Sequence, residues 1–314
     1  MFIAAAIKEA QLPDLLPVIV ARFAHEVRHV SDGLPEQSLL PIILAGFLLS
    51  VPNVLVYWRM LRQMRAAGGR IRSDLLGGPD VFVCVALTVF LGALLLLNAH
   101  PPLKPPEPAP AAHPQEISRL QIISGSSFFV LIVAAILALL IGRNVNLAEL
   151  FGFGRVRLLR GVVMAGGLIL LAFPMLLFVN FVTQKLLGGH AEQQEMVKIF
   201  RHAAKTGDAS IVWLVAVSAA CIAPVTEEFI FRGYIYPVLK RLAGAVPAGL
   251  GAALLFAAIH GNALGFPGLT ILALILTLTY EFTGSLLVCI FMHAWFNALS
   301  LLAMWLGVQH GIGP

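Results

Sequence analysis

The chain has 314 residues, 59% of them hydrophobic and only 12% charged, with a mean hydropathy of +0.90; an average soluble domain is about half apolar and about a quarter charged. Its 37 charged residues, 21 basic and 16 acidic, are too few to coat a globule of this size, which excludes an ordinary water-soluble enzyme. The net charge of +5 sits in loops between apolar runs, where basic residues orient membrane proteins, so no nucleic-acid partner is expected.

Taken in order, the chain predicts an all-α, polytopic transmembrane helical bundle of about eight helices. Lys8 and Glu9 interrupt the first apolar stretch too early for a signal peptide, and residues 1–38 read as an amphipathic or interfacial lead-in. Apolar spans are predicted at Leu39–Trp58, Val81–Asn98, Ile122–Ile141 and Gly161–Thr183. Four more follow at Ile211–Lys240, Pro247–His260, Leu269–Tyr280 and Ser285–Leu306. Residues 101–114 hold seven of the 19 prolines and read as an extended linker. The charge spacing of Lys185–Ser210 suits an amphipathic helix, either over the mouth of an intramembrane site or as a solvated connector. The three cysteines, Cys84, Cys221 and Cys289, lie in apolar stretches without metal or disulfide spacing and read as small core residues.

Alternating the loops puts 12 of the 21 basic residues on one side and nine on the other. The richer side is expected to be cytoplasmic, with both termini opposite. No internal repeat is visible, which weighs against an inverted-repeat transporter.

Of the 16 acids, 13 fall in loops or at chain ends. The exceptions are Glu227 and Glu228, inside one apolar run, and Glu281, at the join of two. Only His260 and His293, among nine histidines, lie within apolar spans. A charge at the centre of a spanning helix costs at least ~2.5–3.5 kcal/mol, so such residues are paired or functional. Residues four apart share a helix face while neighbours diverge by about 100°. Glu228 therefore pairs with Arg232, and Glu227 is left on another face without a local partner. His293 and Asn297 also stand four apart, as do Phe256 and His260. Glu227 and His260 each lie about 16 residues from the Ala243-Gly244 turn, so a helical hairpin would put them at one depth. Singly, an intramembrane His or Asn is more often a packing residue; the cluster points to a site.

Three motifs in this region carry a resemblance. Glu227-Glu228-Phe229-Ile230-Phe231-Arg232 matches EExxxR, Phe256-Ala257-Ala258-Ile259-His260 matches FxxxH, and His293-Ala294-Trp295-Phe296-Asn297 matches HxxxN. Together they resemble the CPBP (CAAX protease and bacteriocin-processing, or Abi) family of intramembrane proteases, relatives of the Ras-converting CAAX prenyl endopeptidase. The resemblance covers about residues 210–305. It divides the chain into a lead-in (1–38), accessory helices and loops (39–209), a catalytic core (210–306) and a tail (307–314).

That family implies peptide-bond hydrolysis in a water-filled membrane cavity, with Glu227 as general base assisted by His260. His293 and Asn297 would stabilise the oxyanion, while Glu228 and Arg232 hold the site together. Both metal-dependent and metal-free glutamate mechanisms are proposed for the family. Zinc is compatible with the residue types, but no HExxH is present and Glu228 is committed to Arg232, so a site without a cofactor is favoured. The expected partners are the lipid bilayer and a membrane-associated peptide or protein substrate, and in a bacterium the location would be the inner membrane. Competing readings are a proton-coupled transporter and a non-catalytic scaffold or immunity factor. A rhomboid-like serine protease, suggested by Ser124-Gly125-Ser126-Ser127, lacks the GxSG order.

Overall fold

The computed structural model describes residues 36–67, 69–99, 114–187 and 195–309. The predicted lead-in up to residue 35, the Pro-rich linker before residue 114 and the last five residues lie outside it. Among the described residues there are ten helices and no strand. They are α1 (Glu36–Ala67), α2 (Gly78–Ala99), α3 (Pro114–Gly142), α4 (Leu147–Phe151) and α5 (Leu158–Leu187). Next come α6 (Glu195–Thr206), α7 (Ala209–Ala243), α8 (Ala245–Ile259), α9 (Phe266–Thr283) and α10 (Leu286–Gln309).

Six of these, α2, α3, α5, α7, α9 and α10, are long and apolar enough to cross a membrane, and the chain is a multi-pass membrane protein. The span predicted at Pro247–His260 needs correction. Helix α8 has 15 residues, about 22 Å at 1.5 Å per residue, against a hydrocarbon core about 30 Å thick. Helix α9 is the central element: 56% of its span is buried, against 17% in α2 and 11% in α3. Outward-facing Phe82, Leu131 and Leu159 on the peripheral helices suit lipid rather than water. The same exposure corrects the reading of the cysteines. Cys84 and Cys289 are buried, but Cys221 is exposed on α7, because an apolar helix in a bilayer need not turn its small residues inward.

Helix α7 is not a uniform α-helix. It contains π-turns at Ser218–Ile222 and Phe229–Ile235, and prolines follow at 224 and 237. A proline ring clashes with the carbonyl four residues earlier, here Ala220 and Gly233, and both lie within the wider turns. Asp208 caps the start of the helix, accepting from the Ser210 hydroxyl at 2.7 Å and the Ile211 N–H at 3.2 Å. The Ser210 hydrogen bond first, then the Ile211 N–H, hold the Asp208 carboxyl below its usual range, so it stays ionised against the positive end of the helix dipole.

Polar contacts gather the inter-helix connections at one end of the bundle. Glu281 is fully buried and uses both oxygens. Oε1 accepts from the Tyr236 hydroxyl at 2.7 Å and Lys240 Nζ at 2.5 Å, and Oε2 accepts from the N–H groups of Arg70 (2.8 Å) and Ile71 (3.2 Å). Arg155 Nη1 reaches the carbonyls of Arg70 and Gly284. The α1–α2, α4–α5 and α9–α10 connections and the C-terminal turn of α7 therefore meet there, bringing together the loops counted above as the basic side. Asp80, read from sequence as an ordinary loop acid, is buried at the same end and paired with Arg143, while its Oδ2 accepts from Gly77 N–H at 2.5 Å.

Gly152, which ends α4 at φ +66°, is pressed against the Gly284 carbonyl, which a Cβ there would strike. Backbone strain and collision act together, so Gly152→Ala is expected to cost about 2–3 kcal/mol. Thermal unfolding in detergent measures it, and wild-type stability would show that this close approach is not made.

Candidate active site

The six candidate residues are delivered by three elements of the α7–α10 fold. Glu227 and Glu228 sit midway along α7, just before its second π-turn, and Arg232 lies inside that turn. His260 caps the C-terminus of α8 rather than lying within it, and His293 and Asn297 are on α10. The structure brings all six together, including His293, whose place no helical spacing could give.

The two adjacent acids have different environments. Glu228 is fully buried, and its Oε1 accepts from Arg232 Nη1 and from His293 Nδ1, both at 2.9 Å. Arg232 also donates from Nη2 to the Ala273 carbonyl at 3.0 Å and lays its guanidinium 4.7 Å from the Phe256 ring centroid. That stacking adds to the charge pairing. Glu227 faces a cavity of about 540 Å³ and retains 13% side-chain exposure. Its Oε2 stands 4.0 Å from His260 Nε2 and 3.9 Å from His293 Nε2.

The other ring nitrogens fix the tautomers. His260 Nδ1 lies 2.7 Å from the Phe256 carbonyl. A carbonyl only accepts, so Nδ1 carries the proton and Nε2 turns a lone pair toward Glu227 when the ring is neutral. His293 Nδ1 likewise donates to the Glu228 carboxylate, and its Nε2, which carries a hydrogen when the ring is protonated, points into the cavity. The Phe256 ring backs both imidazoles, at centroid distances of 4.8 and 5.9 Å. Asn297 Nδ2 donates to the Ala219 carbonyl at 2.6 Å, inside the first π-turn, leaving its second amide hydrogen without an acceptor among the described residues.

The donor chemistry of Glu227, His260 and His293 suits zinc, but their arrangement does not. Among the described residues no group of three or more His, Cys, Asp or Glu side chains is placed to hold a metal ion. The 3.9 and 4.0 Å separations exceed the roughly 3.3 Å between neighbouring ligands on a tetrahedral zinc with bonds near 2.05 Å.

Residues 209–299 match the family model described as Type II CAAX prenyl endopeptidase Rce1-like. Over this segment the chain is similar to that family. No curated protein and no solved structure matches it. The Rce1-like segment runs from the start of α7 into α10 and contains every candidate residue. At the family level the match supports a CAAX-protease-type enzyme.

Helices outside the Rce1-like segment also wall the cavity. Met196 and Val197 of α6 line it, while Phe200 and Ala203 of the same helix are buried. The amphipathic stretch is thus docked over the site and is not a solvated connector. Ser126 also lines the cavity. It lies 12 residues inside α3, which begins at Pro114, so a capping role is ruled out for it. Asn180 and Asn262 are cavity residues that sequence reading missed. Asn180 was detectable as a lone carboxamide in an apolar run, the criterion applied to the acids and histidines.

Proposed function

We propose that the protein is an intramembrane endopeptidase that hydrolyses a peptide bond of a membrane-associated or CAAX-like substrate with a water activated by Glu227 and His260. The observation that carries this reading is the convergence of the Glu227 carboxylate and two imidazole Nε2 atoms on one cavity within an apolar bundle. A water between Glu227 and His260 can donate one hydrogen to each, since both present acceptors. Glu227 takes the proton as the water oxygen bonds to the substrate carbonyl carbon. The oxyanion so formed accepts from His293 Nε2–H and from the free Asn297 amide hydrogen. Collapse of the tetrahedral intermediate breaks the C–N bond, and Glu227 returns the proton to the leaving amine.

Glu228 and Arg232 act by position: the carboxylate holds the His293 ring through Nδ1, and the guanidinium holds the carboxylate. No step is routed through a metal. The test is cleavage of internally quenched peptides, with and without an S-prenylated cysteine near the C-terminus, by purified protein in liposomes, with zinc content measured in parallel. Cleavage that survives a chelator, with zinc well below one equivalent, is expected. Stoichiometric zinc, with activity lost to the chelator and restored by zinc, would overturn the metal-free mechanism. Failure to cleave any peptide would count against the endopeptidase itself.

A further inference from the structure

Several polar side chains on the cavity wall are engaged within the protein. Thr226 Oγ1 donates to the Ile222 carbonyl at 3.0 Å, Ser300 Oγ to the Phe296 carbonyl at 2.8 Å, and Ser126 Oγ pairs with Ser218 Oγ at 3.3 Å. Besides Asn297, two asparagines of this wall keep donors free among the described residues. Asn262, in the α8–α9 connection, is anchored through Oδ1, which accepts from the N–H groups of Leu264 (2.9 Å) and Gly265 (3.2 Å). Its Nδ2 has no acceptor among the described residues. Asn180 stands in the apolar span of α5 and makes no side-chain hydrogen bond among the described residues. Asn180 is exposed on the cavity wall, so its amide is open to a ligand there.

Both amides lie along the same edge of α9. A Cβ at Gly265 would sit 3.6 Å from Asn262 Cγ and Nδ2, and one at Gly268 would collide with Asn180 Oδ1. Gly265 and Gly268 are three apart at the start of α9, hence on one face, and both line the cavity. The missing side chain at Gly268 makes room for Asn180, and Asn262 packs at Gly265, so the two carboxamides are seated beside neighbouring glycines on a single stretch of cavity wall. An extended peptide presents alternating carbonyl and N–H groups along its length, and a carboxamide offers both donors and an acceptor to match them.

The geometry points to a peptide-backbone subsite: Asn180 and Asn262, on the cavity wall beside the start of α9, hydrogen-bond the main chain of the substrate and set its register against Glu227. The inference rests on the endopeptidase reading and makes these two side chains positioning residues. Recognition through the backbone tolerates varied side chains, so the substrate class is an extended peptide selected by conformation more than by sequence at these positions.

The probe is an equimolar mixture of synthetic decapeptides of diverse sequence, incubated with the full-length protein in liposomes and read by mass spectrometry of new termini. KM and kcat then follow for the best-cleaved decapeptide. Asn180→Leu and Asn262→Asp are each expected to raise KM by about three- to tenfold, the value of one hydrogen bond, with kcat unchanged within about twofold. Asn262→Asp keeps the oxygen that holds Leu264 and Gly265 but removes the donor. A purely loop-holding role would therefore spare it and harm only Asn262→Ala. Replacing single backbone amides of that decapeptide with esters should raise KM at one position for the wild type, and not for Asn180→Leu. Wild-type KM in both variants, or ester effects undiminished by them, would overturn the subsite alone. No cleavage of any decapeptide by the wild type would overturn the endopeptidase reading and the subsite with it.

Discussion

Glu227→Gln is expected to abolish peptide hydrolysis, lowering turnover by at least about 10³-fold, while leaving the folded protein as stable as the wild type. The amide keeps the volume of the carboxylate but has no basic oxygen, and general-base catalysis contributes about 10²–10⁴-fold. Loss of the oxyanion geometry that depends on a correctly placed water adds to that. Stability is spared because Glu227 makes no ion pair closer than 3.9 Å and faces the cavity. Turnover of the quenched peptides and the thermal midpoint in detergent check the two halves separately. Activity within tenfold of wild type would remove Glu227 from the role of base.

Arg232→Met should have the opposite profile, with a loss of stability of about 3–5 kcal/mol. Removing one partner of a buried ion pair strands the other as an uncompensated charge. Glu228 is fully enclosed, and its Oε2 has no hydrogen-bond partner among the described residues, so without Arg232 the carboxylate is held by His293 alone. The backbone carbonyl of Ala273 loses its donor as well. Pairing the change with Glu228→Gln removes the stranded charge, and more than half of the lost stability is expected to return. Hydrolysis should not return with it, because a neutral amide holds the His293 ring less firmly than the carboxylate does. Unfolding midpoints of the wild type and the two variants decide the matter. A single variant within 1 kcal/mol of wild type would mean that the pair does not hold the site.

Local spacing made the division of labour between Glu227 and Glu228 legible in the sequence, since four residues on one helix determine which acid meets Arg232. Equal counts to the Ala243-Gly244 turn likewise placed Glu227 and His260 at one depth, and they stand 4.0 Å apart. What escaped was whatever depends on residues far apart in the chain. Glu281 looked like an acid at a junction because its partners Arg70 and Ile71 lie more than 200 residues away. Helix α8 was read as a span because apolar composition reports burial without distinguishing lipid from protein. It buries Ala248, Ala252 and Phe256 against the bundle while Leu250 and Leu254 face outward. The carboxamides of the cavity escaped because asparagine is common at turns and only the fold shows which ones face a cavity.

The π-turn at Phe229–Ile235 has a consequence for how α7 serves two ends of the molecule at once. Each residue added to a helix rotates everything beyond it by about 100°, and the wider turn holds a residue beyond the α-helical count. Glu227 and Glu228 precede it, and Tyr236 and Lys240, which grip Glu281, follow it. The turn thus works as a phase shifter along a single rod. The azimuth of the cavity acids and that of the anchoring residues are set separately, so the anchor can fit its own neighbours without re-aiming the acids.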